Sequence, residues 1–358
     1  MISLRALSRA IWRDSSWTGW AESGIGSRYL RAKLEWDADA DVDALLDDFF
    51  SQWYGPAGKV MRAYYYRLDQ AITESPVHGH EDRVLPELYT RELLAALRRD
   101  LTQAERLAAA EPYATRVRAE RLIYEHLRAY VAMNEAELSG DFAKATAQAR
   151  TMLDLRPPLH QISPFFLWPD ENGYHTGVWY WKISDRLKWY QELAAQTDGT
   201  KGDLVALCPT TAAFKLDPHD LGVYAEWYDP KCPTGDWKPL LTNRPFYAQG
   251  HLDPQSHPYV GNMWYRLKVS IPAGFAGRAI KLCVPTLTTE GWCWVNGQFV
   301  GYRPYKEAYE RPAILDCDVT SAVRPGQVNE IVFRVSTSLS AAQIAEGLYG
   351  RVFLYAPK

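Results

Sequence analysis

The sequence predicts an α+β chain of two domains, an N-terminal helical bundle followed by an antiparallel β-sandwich. Three observations predict it. Apolar residues recur at helical spacing through residues 1–200. From "TDGTKGD" (197–203) onward, the spacing shortens to alternation between Pro, Gly and Asp turns. The length of 358 residues, with 47% hydrophobic content, is enough to bury two cores without disulfide or metal staples. The predicted division is therefore 1–200 and 201–358.

In "VDALLDDFFSQWYG" the side chains of Val42, Leu45, Leu46, Phe49 and Trp53 share one helical stripe. Asp37, Asp39 and Asp41 crowd its start, where negative charge suits the helix dipole. Gly55 ends it and Pro56 opens the next helix, whose face is Val60, Met61, Tyr64, Tyr65, Leu68 and Ile72. After the loop "ESPVHGHEDRVLP", long helices are expected over 88–110 and 112–139, with Gly140 closing the second. "DFAKATAQARTMLDL" continues as a helix up to Pro157, and residues 176–196 form another. No repeat of fixed period occurs, so a solenoid is not predicted.

In the second half, Tyr265, Leu267, Val269 and Ile271 alternate with Arg266, Lys268 and Ser270, and Ile280, Leu282 and Val284 with Ala279, Lys281 and Cys283. Ile331, Phe333 and Val335 alternate in the same way with Glu330, Val332 and Arg334. About eight short strands at this spacing read as a sandwich. Trp264 shares the parity of Arg266 and Lys268 and is expected to face outward. In "GWCWVNGQFVGY" (291–302), Asn296-Gly297 signals a two-residue type I′ turn. That register puts Trp294 opposite Phe299, Trp292 opposite Gly301, and Cys293 opposite Val300. Trp292, Trp294 and Phe299 then share one face, and Cys293, Val295 and Val300 the other. Two readings stand for the Trp face: packing against another layer, or a platform for a sugar ring.

Composition excludes several classes. The net charge of −3 and the lack of a basic stripe argue against nucleic acid or an anionic membrane as partner. No apolar run reaches the ~18 residues of a membrane span. Arg5, Arg9 and Arg13 interrupt "MISLRALSRAIWRD", whereas a secretory signal needs ~7–15 uninterrupted apolar residues. Localisation is therefore left open, cytoplasmic if Met1 is the natural start. Cys208, Cys232, Cys283, Cys293 and Cys317 read as free thiols, with a Cys283–Cys293 bridge as the alternative. No CxxC is present, and His78, His80, Glu81 and Asp82 lack a third distant ligand, so neither metal nor cofactor is expected. "ESGIGSRY" is only part of a dinucleotide motif, and P-loop, GxSxG and HExxH motifs are missing.

Glycoside hydrolysis needs two carboxylates about 5–10 Å apart across a sugar. Asp14 and Glu22, with Trp17 and Trp20 between them in one loop, are the candidate pair, the alternative being an ordinary surface loop that packs its indoles on the helices. Glu290, just before the double-Trp strand, is either an acceptor for sugar hydroxyls beside an aromatic face or a plain turn residue.

Over roughly residues 203–358, the ordered words "GNMWYRLKVSIP", "GWCWVNGQFVGY", "LDCDVTSAVRPGQVNEIVFRV" and "GLYGRVFLY" resemble the sugar-binding jelly-roll of family 2 glycoside hydrolases, the β-galactosidase type. The resemblance implies a galactose-binding-like jelly-roll. "LTNRPFYAQG" resembles the loop that approaches the active site in those enzymes, which makes Asn243 and Arg244 candidates for contacting sugar or a partner domain. "SRYLRAKLEWDADADVDALLDDFFSQWYGPAGKVMRAYY" is similar to the segment after the barrel in bacterial α-glucuronidase-like proteins. That likeness implies that residues 1–36 are the remnant of a barrel end.

A TIM barrel takes about 200–250 residues of alternating strand and helix, which this sequence lacks. The expected function is thus a carbohydrate-binding accessory, C-terminal portion of a glycoside-hydrolase-like protein, not catalytic alone. Its ligand-binding candidates are Trp17, Trp20, Asn243, Arg244, Trp264, Glu290 and Trp292, and its partners a carbohydrate and a catalytic barrel or second chain. The rivals are a structural module that docks a catalytic domain, and a hydrolase with its site between the two domains.

Overall fold

A computed structural model of the chain describes residues 25–75, 87–163, 183–255, 257–306, 314–339 and 347–358. Asp14, Trp17, Trp20, Glu22 and the His78–Asp82 group lie outside the described residues. The chain is an α+β protein whose contacts form two compact units. The first comprises 1–76, 84–134 and 146–188; the second comprises 77–83, 135–145 and 189–358.

The described helices of the first unit begin with α1 (Ile25–Trp36), α2 (Val42–Tyr54) and α3 (Gly58–Thr73). Asp41 caps α2, its carboxylate accepting from the N–H groups of Asp43 and Ala44 at 2.9 and 3.3 Å. The predicted stripe of α2 packs inward, extended by the buried Phe50 and Tyr54. Gly55 ends α2 at φ +52°, and a β-carbon there would lie 2.6 Å from the Tyr113 ring. The Arg116 guanidinium sits 3.9 Å over the Trp53 ring and donates to the Trp53 carbonyl at 2.8 Å, a cation at a helix C-terminus.

Next in the chain come α4 (Arg91–Leu107), α5 (Tyr113–Ser139), α6 (Phe142–Asp154), α7 (Arg156–Ile162) and α8 (Ile183–Thr197), of which the end of α5, the start of α6 and most of α8 belong to the second unit. Leu94, Leu97, Leu101 and Ala104 form the buried stripe of α4. α6 stops at Asp154, short of Pro157 as expected, and Pro157 belongs to the next helix. It sits in the first turn of α7, where its missing N–H costs nothing.

At the centre of this unit Glu120 is buried, and the hydroxyls of Tyr54 and Tyr65 both donate to its Oε1, at 2.6 and 2.5 Å. Burial raises the Glu120 carboxyl above its ordinary value of 4.5, outweighing the two hydrogen bonds that favour the anion.

The second unit is the sandwich. Its strands are β1 (Gly202–Leu207), β2 (Thr211–Asp217), β3 (Lys238–Leu241), β4 (Asn262–Ser270), β5 (Lys281–Val284), β6 (Thr286–Leu287), β7 (Glu290–Val295), β8 (Gln298–Arg303), β9 (Leu315–Asp318), β10 (Val328–Ser336), β11 (Leu348–Tyr349) and β12 (Phe353–Pro357). They form a four-stranded sheet, β1-β12-β5-β9, a six-stranded sheet, β3-β2-β4-β10-β7-β8, and the short pair β11-β6. Every pairing between these strands is antiparallel.

The predicted alternation supplies the core: Met263, Tyr265, Leu267 and Val269 of β4, Ile331, Phe333 and Val335 of β10, and Leu282 and Val284 of β5 pack together. Segments 135–145 and 189–197 join this unit. Phe142 meets Phe353 of β12 with ring centroids 5.2 Å apart, and Tyr190 donates to the Glu137 carboxylate.

All five cysteines are free. Cys283 and Cys293 do not share a hairpin. The first lies on β5 of the four-stranded sheet with outward parity, and the second points into the core from β7 of the six-stranded sheet. Burial pushes the Cys208 thiol up to about 12, so it stays protonated and unreactive. No helix among the described residues is long and apolar enough to cross a membrane.

Glu120 makes stability depend on pH. A carboxyl whose value is raised on folding contributes stability below its ordinary value, and that contribution is lost as pH rises through the raised one. Glu120→Gln keeps an acceptor for both tyrosines. It is expected to flatten the fall in stability between acid and neutral pH, seen by denaturant unfolding across that range. An unchanged profile would contradict this assignment.

Candidate functional site

The outward face of the six-stranded sheet is built almost wholly of aromatic and charged side chains. Trp264 and Arg266 come from β4, Val332 and Arg334 from β10, Trp292 and Trp294 from β7, all from positions facing away from the core. Most of this face is covered. Residues 218–237, between β2 and β3, fold back over it and contribute Trp227, Tyr228 and Trp237. Trp227 meets Trp264 and Trp237 edge-on at 5.9 Å, Tyr228 stacks on Trp294 at 5.3 Å, and Trp294 stacks on Trp264 at 5.5 Å.

Two polar clasps hold this cover. Asp217, at the end of β2, accepts from the Trp264 indole N–H at 2.9 Å and from the N–H groups of Leu221 and Gly222 at 2.8 and 2.9 Å. Arg266 donates to the carbonyls of Trp227, Asp229 and Cys232 at 2.5, 3.0 and 3.1 Å, with Glu330 3.5 Å away. Gly222 lies directly on Trp264, and a β-carbon there would stand 2.4 Å from the indole nitrogen. Trp264 therefore faces outward as its parity predicts, yet it is 0% exposed and offers no ring face to a ligand.

What stays open is the rim made by β7 and β8. The Asn296-Gly297 turn has positive φ at both residues, +50° and +83°, as a type I′ turn requires. Trp294 pairs with Phe299 as expected, but the rest of the predicted register is corrected. Cys293 pairs with Gly301 and Trp292 with Tyr302, because Val300 is an extra, bulged residue. Val300 and Gly301 then both point inward. The second must be glycine, since a β-carbon at 301 would lie 2.1 Å from the Cys317 sulfur. After this double inward step, Tyr302 emerges on the outer face.

The rim is a continuous row. Asp220 pairs with Arg334 at 2.6 Å, and the Arg334 guanidinium lies 4.2 Å over the Trp292 ring. Trp292 meets the Tyr302 ring at 5.2 Å, and the Tyr302 hydroxyl donates to Glu290 at 2.5 Å. That hydrogen bond raises the Tyr302 phenol above its usual range. Glu290 and Trp292 are thus linked through Tyr302.

The backbone just before Glu290 is unusual. Thr289 is buried and β-branched, yet has φ +71°. Arg303 holds its carbonyl at 2.6 Å, the Lys306 N–H reaches the same oxygen at 3.1 Å, and its hydroxyl donates to the Ser336 carbonyl. These contacts over-determine a conformation that costs of order 1–3 kcal/mol, and so fix where Glu290 starts β7.

Asn243 and Arg244 lie elsewhere, in the turn after β3, with β2, β4 and β10 between β3 and β7. Asn243 Oδ1 is buried without a hydrogen-bond partner, and the Arg244 carbonyl accepts from Gln249 at 3.1 Å. The structure does not bring these two residues into the row. Sequence reasoning missed Tyr302, Arg334 and Asp220. The outward parity of β10 was a usable signal for Arg334, whereas Asp220 is placed only by the fold of the covering loop. No group of three His, Cys, Asp or Glu residues suited to a metal occurs among the described residues.

No protein-family model matches the chain. Similar solved structures include β-glucuronidase from Ruminococcus gnavus in complex with D-glucuronic acid, at 18% identity over 43% of this chain and 29% of that one, TM-score 0.37. A second structure of Ruminococcus gnavus β-glucuronidase gives 17% identity, the same coverage and TM-score 0.37. The chain spans less than a third of the length of these enzymes. A likeness of this size carries no argument about chemistry, so function has to be read from the residues of the rim.

Gly222→Ala forces the covering loop off Trp264 and is expected to cost about 1–3 kcal/mol. Trp264 would then meet water. A lower denaturant midpoint with a red-shifted native tryptophan emission would support the close packing; an unchanged midpoint and emission would refute it.

Proposed function

We propose that the chain is a carbohydrate-binding accessory portion of a glycoside-hydrolase-like protein, with sugar engaged at the rim formed by Glu290, Trp292 and Tyr302. The observation that carries this reading is the row itself, in which a partly open aromatic surface ends on a carboxylate. An aromatic ring receives the apolar face of a sugar, and a carboxylate accepts from its hydroxyls. Asn243 and Arg244, at a separate turn, belong to the same proposal as contacts to sugar or to a partner domain. So does the boundary near residue 200, where α8 gives way to β1.

A second reading, docking of a catalytic domain or partner chain, is favoured by the exposed Leu221, Val223 and Tyr224 on the covering loop. The two readings separate on one substitution. Tyr302 is 44% exposed, so Tyr302→Ala leaves folding nearly intact. It is expected to weaken glycan binding about tenfold, roughly 1.4 kcal/mol. A glycan array followed by calorimetry reads this, and failure of the native chain to bind any glycan favours docking instead. Trp264→Ala is expected to cost about 3–5 kcal/mol in stability, as a buried indole does.

We infer no hydrolysis by this chain alone. Both carboxylates of the row are already engaged, Asp220 with Arg334 and Glu290 with Tyr302, whereas glycoside hydrolysis needs one to give or take a proton and the other to act as base or nucleophile. An aryl glycoside is expected to remain intact. Turnover abolished by Glu22→Gln would place a working site in the N-terminal loop and overturn this part.

A further inference from the structure

We propose that the rim binds an uncharged glycan chain laid along β8, spanning at least two sugar rings, rather than a single sugar or an acidic polymer. This rests on the carbohydrate reading above and goes beyond it. The bulge is the first support. Phe299 and Tyr302 are three residues apart, a spacing that puts side chains on opposite faces of a regular strand. Because Val300 and Gly301 both turn inward, the two rings share the outer face. Each is open, at 51% and 44% exposure.

The rings are separated by two paired positions, about 7 Å along the strand. They are backed by different indoles, Phe299 by Trp294 at 5.6 Å and Tyr302 by Trp292 at 5.2 Å. Two separately supported rings in line address two successive sugars. A monosaccharide would use only one.

The second support is charge. The carboxylate of Glu290 is held against the Tyr302 hydroxyl, and the Asp220 side chain is 58% exposed at the other end of the row. The cation between them, Arg334, is only 12% exposed, lies against Trp292 and is already paired with Asp220. A carboxylated sugar on Tyr302 would meet a like charge, whereas a neutral one presents hydroxyl donors.

Affinity electrophoresis of the full chain tests this, with gels containing galactomannan, xylan, mixed-linkage glucan or polygalacturonate. Titration with the mono-, di- and tetrasaccharides of the best polymer follows. At least one neutral polymer is expected to retard the chain. Affinity should rise about tenfold or more from mono- to tetrasaccharide. Phe299→Ala and Tyr302→Ala should each reduce retardation with melting unchanged. Equal affinity for mono- and tetrasaccharide, or indifference to Phe299→Ala, would overturn the two-ring site while leaving carbohydrate binding intact. Stronger retardation by polygalacturonate would overturn the charge assignment. No retardation in any gel would overturn the carbohydrate reading itself, and this inference with it.

Discussion

The outer half of the sandwich depends on Arg266. Its guanidinium rises from the middle of the six-stranded sheet into a nearly waterless space, and three backbone carbonyls of the covering loop converge on it. A buried cation is tolerated only where its donors are met. Here the covering loop meets the two terminal nitrogens, Nη1 and Nη2, and the buried Glu330 supplies the countercharge, its carboxyl raised by the same burial and pulled back by Arg266. The result is directional in a way that apolar packing is not. Indoles alone tolerate many loop conformations, but three carbonyls on one planar cation leave few.

That constraint decides which aromatics remain available. With Asp217 gripping both Trp264 and the start of the loop, the central indoles become a second, smaller core on the sheet's back. The uncovered rim is what lies beyond the reach of the loop. Arg334 marks the border, because it binds the loop through Asp220 and the hairpin through Trp292. The site and the cover are therefore parts of one structure, and a change in one moves the other.

Much of this was legible from residue order. Alternation in β4, β5 and β10 named the inward side chains, since a sheet with one face on a core has few other solutions. Helix ends at Asp41 and Gly55 followed from capping chemistry. Two kinds of feature were not legible. The register beyond Trp294 depends on Val300 bulging, and that depends on Cys317 of a strand in the other sheet leaving space only for hydrogen at residue 301. The burial of Trp264 depends on the loop 218–237, upstream in the chain, whose Gly222 reads like any turn glycine. Local pattern predicts which way a side chain points. It does not predict what comes to lie on top of it.

The bulge has a further consequence for the molecule in solution. β8 closes one end of its sheet, and the outermost strand of a sheet is a template on which another protein's strand can grow. A regular edge bearing exposed Phe and Tyr would invite stacking of copies into fibrils. The kink at Val300 breaks the even spacing of β8 after only a few residues, so a foreign strand meets a shorter regular run. The sheet can keep sticky rings at its margin without becoming a seed for aggregation.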